Sequence, residues 1–173
     1  YPPNEKEINH LHVMFRWDTD VNSVDYIFEL SNDNNFNSVI LSVNTENNYY
    51  IEKEKIDWNE NYYWRVKPAQ GSWINTFSFS TGSPSYEFAS TDVSPVEIIN
   101  NNLDQDDQGI IIYGIMDPLY SAAIDLDGNE IWNSGGVDTY LFTSVDSNYS
   151  FLGDANLPPN YNGELGIEFT IED

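Results

Sequence analysis

Apolar side chains along this chain recur at every second position in short runs, and Asn, Asp, Gly and Ser separate the runs. Alternation with that period puts successive side chains on opposite faces of an extended strand, whereas an amphipathic helix needs a repeat of about 3.6 residues. No segment sustains the helical repeat. Runs spaced about 8–12 residues apart are the pattern of sandwiches and barrels, so the fold class is all-β.

In the first part, residues 11–17 predict a strand with Leu11, Val13, Phe15 and Trp17 on one face. Residues 23–30 predict the next, with Val24, Tyr26, Phe28 and Leu30 in step, and 39–43, 49–51, 62–67 and 73–79 follow. Pro68 has no N–H for a ladder, so it ends its strand or lies at an edge. About six or seven such strands in this length make one sandwich. In the second part the regular stretches are residues 109–116 and 120–133. Asp127-Gly128 between apolar runs predicts a type I′ turn with positive φ at both central residues, pairing 122–126 back on 130–133. Residues 158–163, with two prolines, predict a long surface turn before a last strand at 164–171.

Charge divides the chain at the same place. Residues 1–82 hold twelve acids and all six bases, whereas residues 83–173 hold seventeen acids and no Lys or Arg, so −6 and −17 make up the −23 total. Thr81-Gly82-Ser83-Pro84-Ser85 marks the change, and the expected organisation is a domain at 1–82, a linker at 83–95 and an acidic β domain at 96–173. Nucleic acid and anionic membrane surfaces are held by basic side chains, and the second part has none. Cations or a basic protein surface suit such a field, and so does simple solubility. No apolar run approaches the ~20 residues of a membrane span, so membrane insertion is not expected. The absence of Cys removes disulfides, thiolate metal sites and Cys nucleophiles. Five Trp, twelve Tyr and nine Phe supply ample apolar surface for packed cores. The start at Tyr1 reads as a processed product or a piece of a longer chain.

Phe15-Arg16-Trp17-Asp18, Tyr26-Ile27-Phe28-Glu29-Leu30-Ser31, Asn35-Phe36-Asn37-Ser38-Val39-Ile40 and above all Asn61-Tyr62-Tyr63-Trp64-Arg65-Val66-Lys67, ahead of Phe77-Ser78-Phe79-Ser80-Thr81, carry a resemblance. Together they resemble a bacterial fibronectin type III domain over residues 1–82. The resemblance implies a Greek-key sandwich that serves extracellular or cell-surface proteins as a spacer or binding module. Trp17 and Trp64 are then core, and Arg65 and Lys67 alternate outward.

Farther on, Asp107-Gln108-Gly109-Ile110-Ile111-Ile112-Tyr113-Gly114, Tyr120-Ser121-Ala122-Ala123-Ile124-Asp125 and Ile131-Trp132-Asn133 resemble the opening of arylsulfotransferase-like β-propeller proteins over residues 96–153. This resemblance implies a second antiparallel β domain built from propeller-like hairpins, or else a small sandwich. A propeller takes at least about four blades of four strands, and the residues after the first domain make about two. Enzymes of that kind use a His nucleophile and basic residues around the sulfuryl group, and residues 83–173 contain neither. His10 and His12 lie in the other domain, where they read as edge-strand surface residues.

Two functions from different classes follow. One is a non-catalytic extracellular spacer, binding or assembly module, with a protein, a second copy joined through β edges, or a carbohydrate as partner. The other is the N-terminal portion of an arylsulfotransferase-like enzyme whose active site lies outside this chain. No cofactor is required by the sequence, and calcium is the class the acids suggest: Asp104, Asp106 and Asp107 crowd oxygen ligands ahead of Gly109, where a solvated polar turn is the preferred reading. Asp125 and Asp127 are a second calcium candidate, against which the hairpin alone explains Asp127-Gly128. Asn148-Tyr149-Ser150 matches the N-glycosylation acceptor pattern, with Asn148 as the acceptor.

Overall fold

The alternation of Val13, Phe15 and Trp17 with polar neighbours becomes one wall of an aromatic core, and all three side chains are buried. In the computed structural model, residues 1–19, 23–73, 75–87, 109–116, 119–135, 138–145, 148–154 and 167–170 are described. Apart from one short 3-10 turn at Ser85–Glu87, every described element is a strand, so the protein is all-β. The chain divides into two compact units, Tyr1–Gly82 and Ser83–Asp173.

The first unit contains β1 (Lys6–Ile8), β2 (Val13–Arg16), β3 (Tyr26–Ser31), β4 (Val39–Thr45), β5 (Tyr49–Glu52), β6 (Asn61–Pro68) and β7 (Thr76–Thr81). A five-stranded sheet runs in the order β1-β7-β6-β3-β4, and β2 pairs with β5 in a second sheet. The chain therefore switches sheets between β1 and β2, β2 and β3, β4 and β5, and β5 and β6, which makes a sandwich. All pairings are antiparallel except β1 with β7.

Phe15, Phe28, Trp64 and Phe79 converge from both sheets, with Phe15 and Phe28 ring centroids 4.8 Å apart and Phe15 and Trp64 edge to face at 5.6 Å. Trp17 stacks on Phe28 at 5.9 Å, and Trp64 on Phe77 at 4.6 Å. Burying each such ring contributes about 1.5–3 kcal/mol, and a well-formed aromatic pair about 0.5–1.5 more. The indole N–H groups of Trp17 and Trp64 are buried with no acceptor among the described residues. Leaving a donor so costs about 1–3 kcal/mol, which the ring contacts offset.

Several expectations shift. The first predicted strand shortens to Val13–Arg16, so His10 and His12 lie in the connection before it and are half-buried. Val24 is 78 % exposed and lies ahead of β3, because Tyr26, Phe28 and Leu30 already fill that face. Pro68 ends β6, as its missing donor requires. β1 had no counterpart in the sequence reading.

The second unit holds β8 (Ile111–Met116), β9 (Leu119–Ile124) and β10 (Glu130–Asn133) in one antiparallel meander, and β11 (Asp138–Val145), β12 (Asn148–Asp154) and β13 (Ile167–Thr170) in another. β11 packs against β8 and β9. Ser83–Glu87, the front of the expected linker, are bonded to this unit: the Ser83 carbonyl accepts from Asn133 Nδ2 at 3.0 Å, and Ser85 is buried. The rest of that stretch lies outside the described residues.

Candidate functional site

Four carboxylates organise the described loops, and what each one touches decides what it can do. Asp33 leads the turn between β3 and β4. Its Oδ1 accepts the Asn35 backbone N–H at 3.0 Å and its Oδ2 the Asn37 N–H at 2.6 Å. Those two bonds, Asn35 first, hold the Asp33 carboxyl below the usual carboxylate range. They also hold Phe36 at φ 55°, a left-handed backbone that bulky side chains rarely adopt.

Glu52 ends β5 and is 4 % exposed. Its Oε1 accepts the N–H groups of Lys53, Glu54 and Lys55 at 3.0, 2.7 and 3.0 Å, while the Tyr50 hydroxyl donates to Oε2 at 3.3 Å. Sequence reasoning missed it. Its signal was an acid closing an apolar strand just ahead of three polar residues.

Asp125 closes the hairpin between β9 and β10. Oδ1 accepts the N–H groups of Asp127 and Asn129 at 2.9 and 2.8 Å, and Oδ2 accepts Asn129 Nδ2 at 2.9 Å. The Gly128 N–H reaches the Asp125 carbonyl at 3.1 Å, and of the two expected central residues only Gly128 has positive φ, at 86°. The loop is therefore a type I turn followed by a left-handed glycine, not the expected type I′ pair. The carboxylate of Asp125 accounts for the difference, because the backbone folds over it to bring the Asp127 and Asn129 N–H groups to one oxygen, Oδ1. β10 then pairs Glu130 with Ile124 and Trp132 with Ala123, with a bulge at Ile131.

Glu130 is the fourth. Oε1 accepts the Ser85 backbone N–H at 2.7 Å and Asn133 Nδ2 at 2.8 Å, and Oε2 accepts the Ser85 hydroxyl. A hydroxyl and a carboxylate are thus paired directly. Ser85 is 2 % exposed, and its partner lies 45 residues on, so no local pattern announces the pair.

A different chemistry occupies the outer face of β6. With Tyr62, Trp64 and Val66 facing the core, Tyr63, Arg65 and Lys67 face away. The Arg65 guanidinium lies 3.9 Å from the Phe36 ring centroid and 4.1 Å from that of Trp73, and Lys67 Nζ lies 5.0 Å from Trp73. Arg65 also grips Glu29 Oε2 through Nε at 2.9 Å and Nη2 at 2.7 Å. The strained Phe36 thus completes a stack of alternating rings and cations. Beside it, Glu5, Asn61, Tyr63, Ser78 and Ser80 line an open pocket of about 170 Å³.

The calcium candidates Asp104, Asp106 and Asp107 lie outside the described residues. Asp125 and Asp127 are brought together by the hairpin, with the Asp125 oxygens turned to loop N–H groups. Among the described residues no three His, Asp or Glu side chains gather in a metal-binding group. Asn148 opens β12, its backbone paired with Val145. Burial holds the His10 imidazole below its ordinary value, and His12 adds to the effect. Compared with known proteins, the chain matches no family model, no curated protein and no solved structure.

Proposed function

We propose that this chain is a non-catalytic module of an extracellular or cell-surface protein, acting as a spacer, binding or assembly domain. The observation that carries this reading is the use of the bonded carboxylates. Asp33, Asp125 and Glu130 accept loop or turn donors with both oxygens, and Glu52 accepts three loop N–H groups with Oε1 and the Tyr50 hydroxyl of its own strand with Oε2, so all four work as internal caps. Oxygens held in this way serve the fold of the loop, whereas a general base or nucleophile is aimed at a substrate proton. The sheet order β4-β3-β6-β7 opposite β2-β5 supports the fibronectin type III-like part of the reading, since that order joins strands distant in sequence.

The test is a set of thermal melts on Glu52→Ala, Asp125→Ala and Glu130→Gln in the full chain. The reading expects each to lower a melting temperature. Unchanged melts in all three would remove its basis.

The β8-β9-β10 meander favours a second reading, the N-terminal portion of an arylsulfotransferase-like enzyme. Three antiparallel strands in sequential order, returning to Trp132, are what part of a propeller blade looks like. A parent sequence that continues with similar hairpins bearing His and Arg supports it, and one without them excludes it.

A further inference from the structure

We propose that the outer edge of β4 is where two copies of this chain pair, antiparallel and centred on Ser42. The inference rests on the assembly part of the reading above and names its surface. Among the described residues β4 ends the five-stranded sheet and pairs with β3 alone, so one side of its seven residues offers N–H and C=O groups that no described strand takes. Proteins usually guard such edges with charges, proline, a bulge or brevity. At the opposite edge, β1 has three residues and exposes Lys6 and Glu7. The β4 sequence Val39-Ile40-Leu41-Ser42-Val43-Asn44-Thr45 contains neither charge nor proline. The single irregularity in its pairing with β3 falls at the Val39 end, which leaves Leu41–Thr45 in regular register.

Charge and pattern select a second copy as the occupant. Two molecules of net charge −23 repel wherever carboxylates meet, and residues 34–45 carry none. The strand is also complementary to itself. Centred on Ser42, antiparallel pairing puts Leu41 opposite Val43 of the second copy twice over, both on the core-facing side, and covers Val39, which is 42 % exposed. Aliphatic cross-strand pairs of this kind stabilise sheets, and a two-fold contact consumes the β4 edge of both copies at once, leaving at the ends only the short, charged β1 edges.

The absence of Cys makes the test direct. In an antiparallel ladder, opposite Cα atoms lie about 4.5–5.5 Å apart, within the span a disulfide bridges. Full-length Ser42→Cys under mild oxidation should form covalent dimers at least about tenfold faster than Asn44→Cys, whose two introduced thiols would sit ~13 Å apart along the strand. Both positions are exposed, so neither substitution disturbs the core. Ser42→Lys, which sets like charges opposite each other, should leave only monomer in sedimentation velocity. Wild-type dimer should rise with added salt as the acidic surfaces are screened.

Equal crosslinking of the two thiol variants, or a wild-type monomer at every concentration and salt, overturns the edge proposal. Neither result bears on the caps at Glu52, Asp125 and Glu130, whose failure shows in the melts instead.

Discussion

Replacing Glu52 by Ala removes the acceptor for three backbone N–H groups and one phenol at a position only 4 % exposed. Each intramolecular hydrogen bond contributes about 0.5–1.5 kcal/mol net, so the three N–H bonds bound the loss at about 1.5–4.5 kcal/mol. Lys53, Glu54 and Lys55 are exposed, and water can take over part of their donors. That places the expected loss near the lower half of the range, about 2–3 kcal/mol. For a domain of this size each kcal/mol moves the melting temperature by about 4–8 °C, so a drop of at least about 8 °C is expected. Glu52→Gln keeps an amide oxygen for the three N–H groups and should lose about half as much. Urea unfolding of the full chain followed by tryptophan fluorescence reads this well, because Trp17, Trp58, Trp64 and Trp73 all lie in the first unit and only Trp132 in the second. An Ala variant within about 0.5 kcal/mol of wild type, the ordinary range for a surface change, would refute the reasoning.

Arg65→Lys should cost about 1 kcal/mol, because an ammonium replaces neither the flat contact with Phe36 and Trp73 nor the two-nitrogen grip on Glu29; urea midpoints equal to wild type would contradict it. The first unit should lose stability in mild acid through His10, which sits beside the Tyr1 hydroxyl and His12. Its folded pKa is depressed, so the unfolded chain binds the proton first, and stability is intact above the ordinary value of 6.5 and falls as pH drops from there through the lower folded value. His10→Gln should flatten that slope in melts across the window, and an unchanged slope would assign it elsewhere. Gly128→Ala should cost about 1–2 kcal/mol, since φ there is 86°. Faster amide exchange across the β9-β10 hairpin checks it, and wild-type protection contradicts it.

Strands that carry their own core face were legible in the sequence: β2, β3 and β6 alternate Val13 with Phe15, Tyr26 with Phe28, and Tyr62 with Trp64, and burial follows that alternation. β1 was not, because Lys6-Glu7-Ile8 has one apolar residue and exists through parallel pairing with β7 some seventy residues away. The β9-β10 hairpin was legible as a hairpin but not as a turn type, since Asp125 outside the expected central pair sets the loop. The stack on Arg65 escaped for a similar reason. It needs Phe36 in a left-handed conformation that Asp33 imposes, and residue preference argues against that conformation. Glu130 and Ser85 meet only through tertiary structure, so this hydroxyl–carboxylate pair was invisible until the fold brought them together.

That pair also offers the most direct measurement. The full chain, incubated with an aryl sulfate donor and a phenolic acceptor and separately with polysaccharides, is expected to give turnover no higher than buffer, identical for wild type and Ser85→Ala. Turnover that follows the purified chain and disappears in Ser85→Ala would contradict the account.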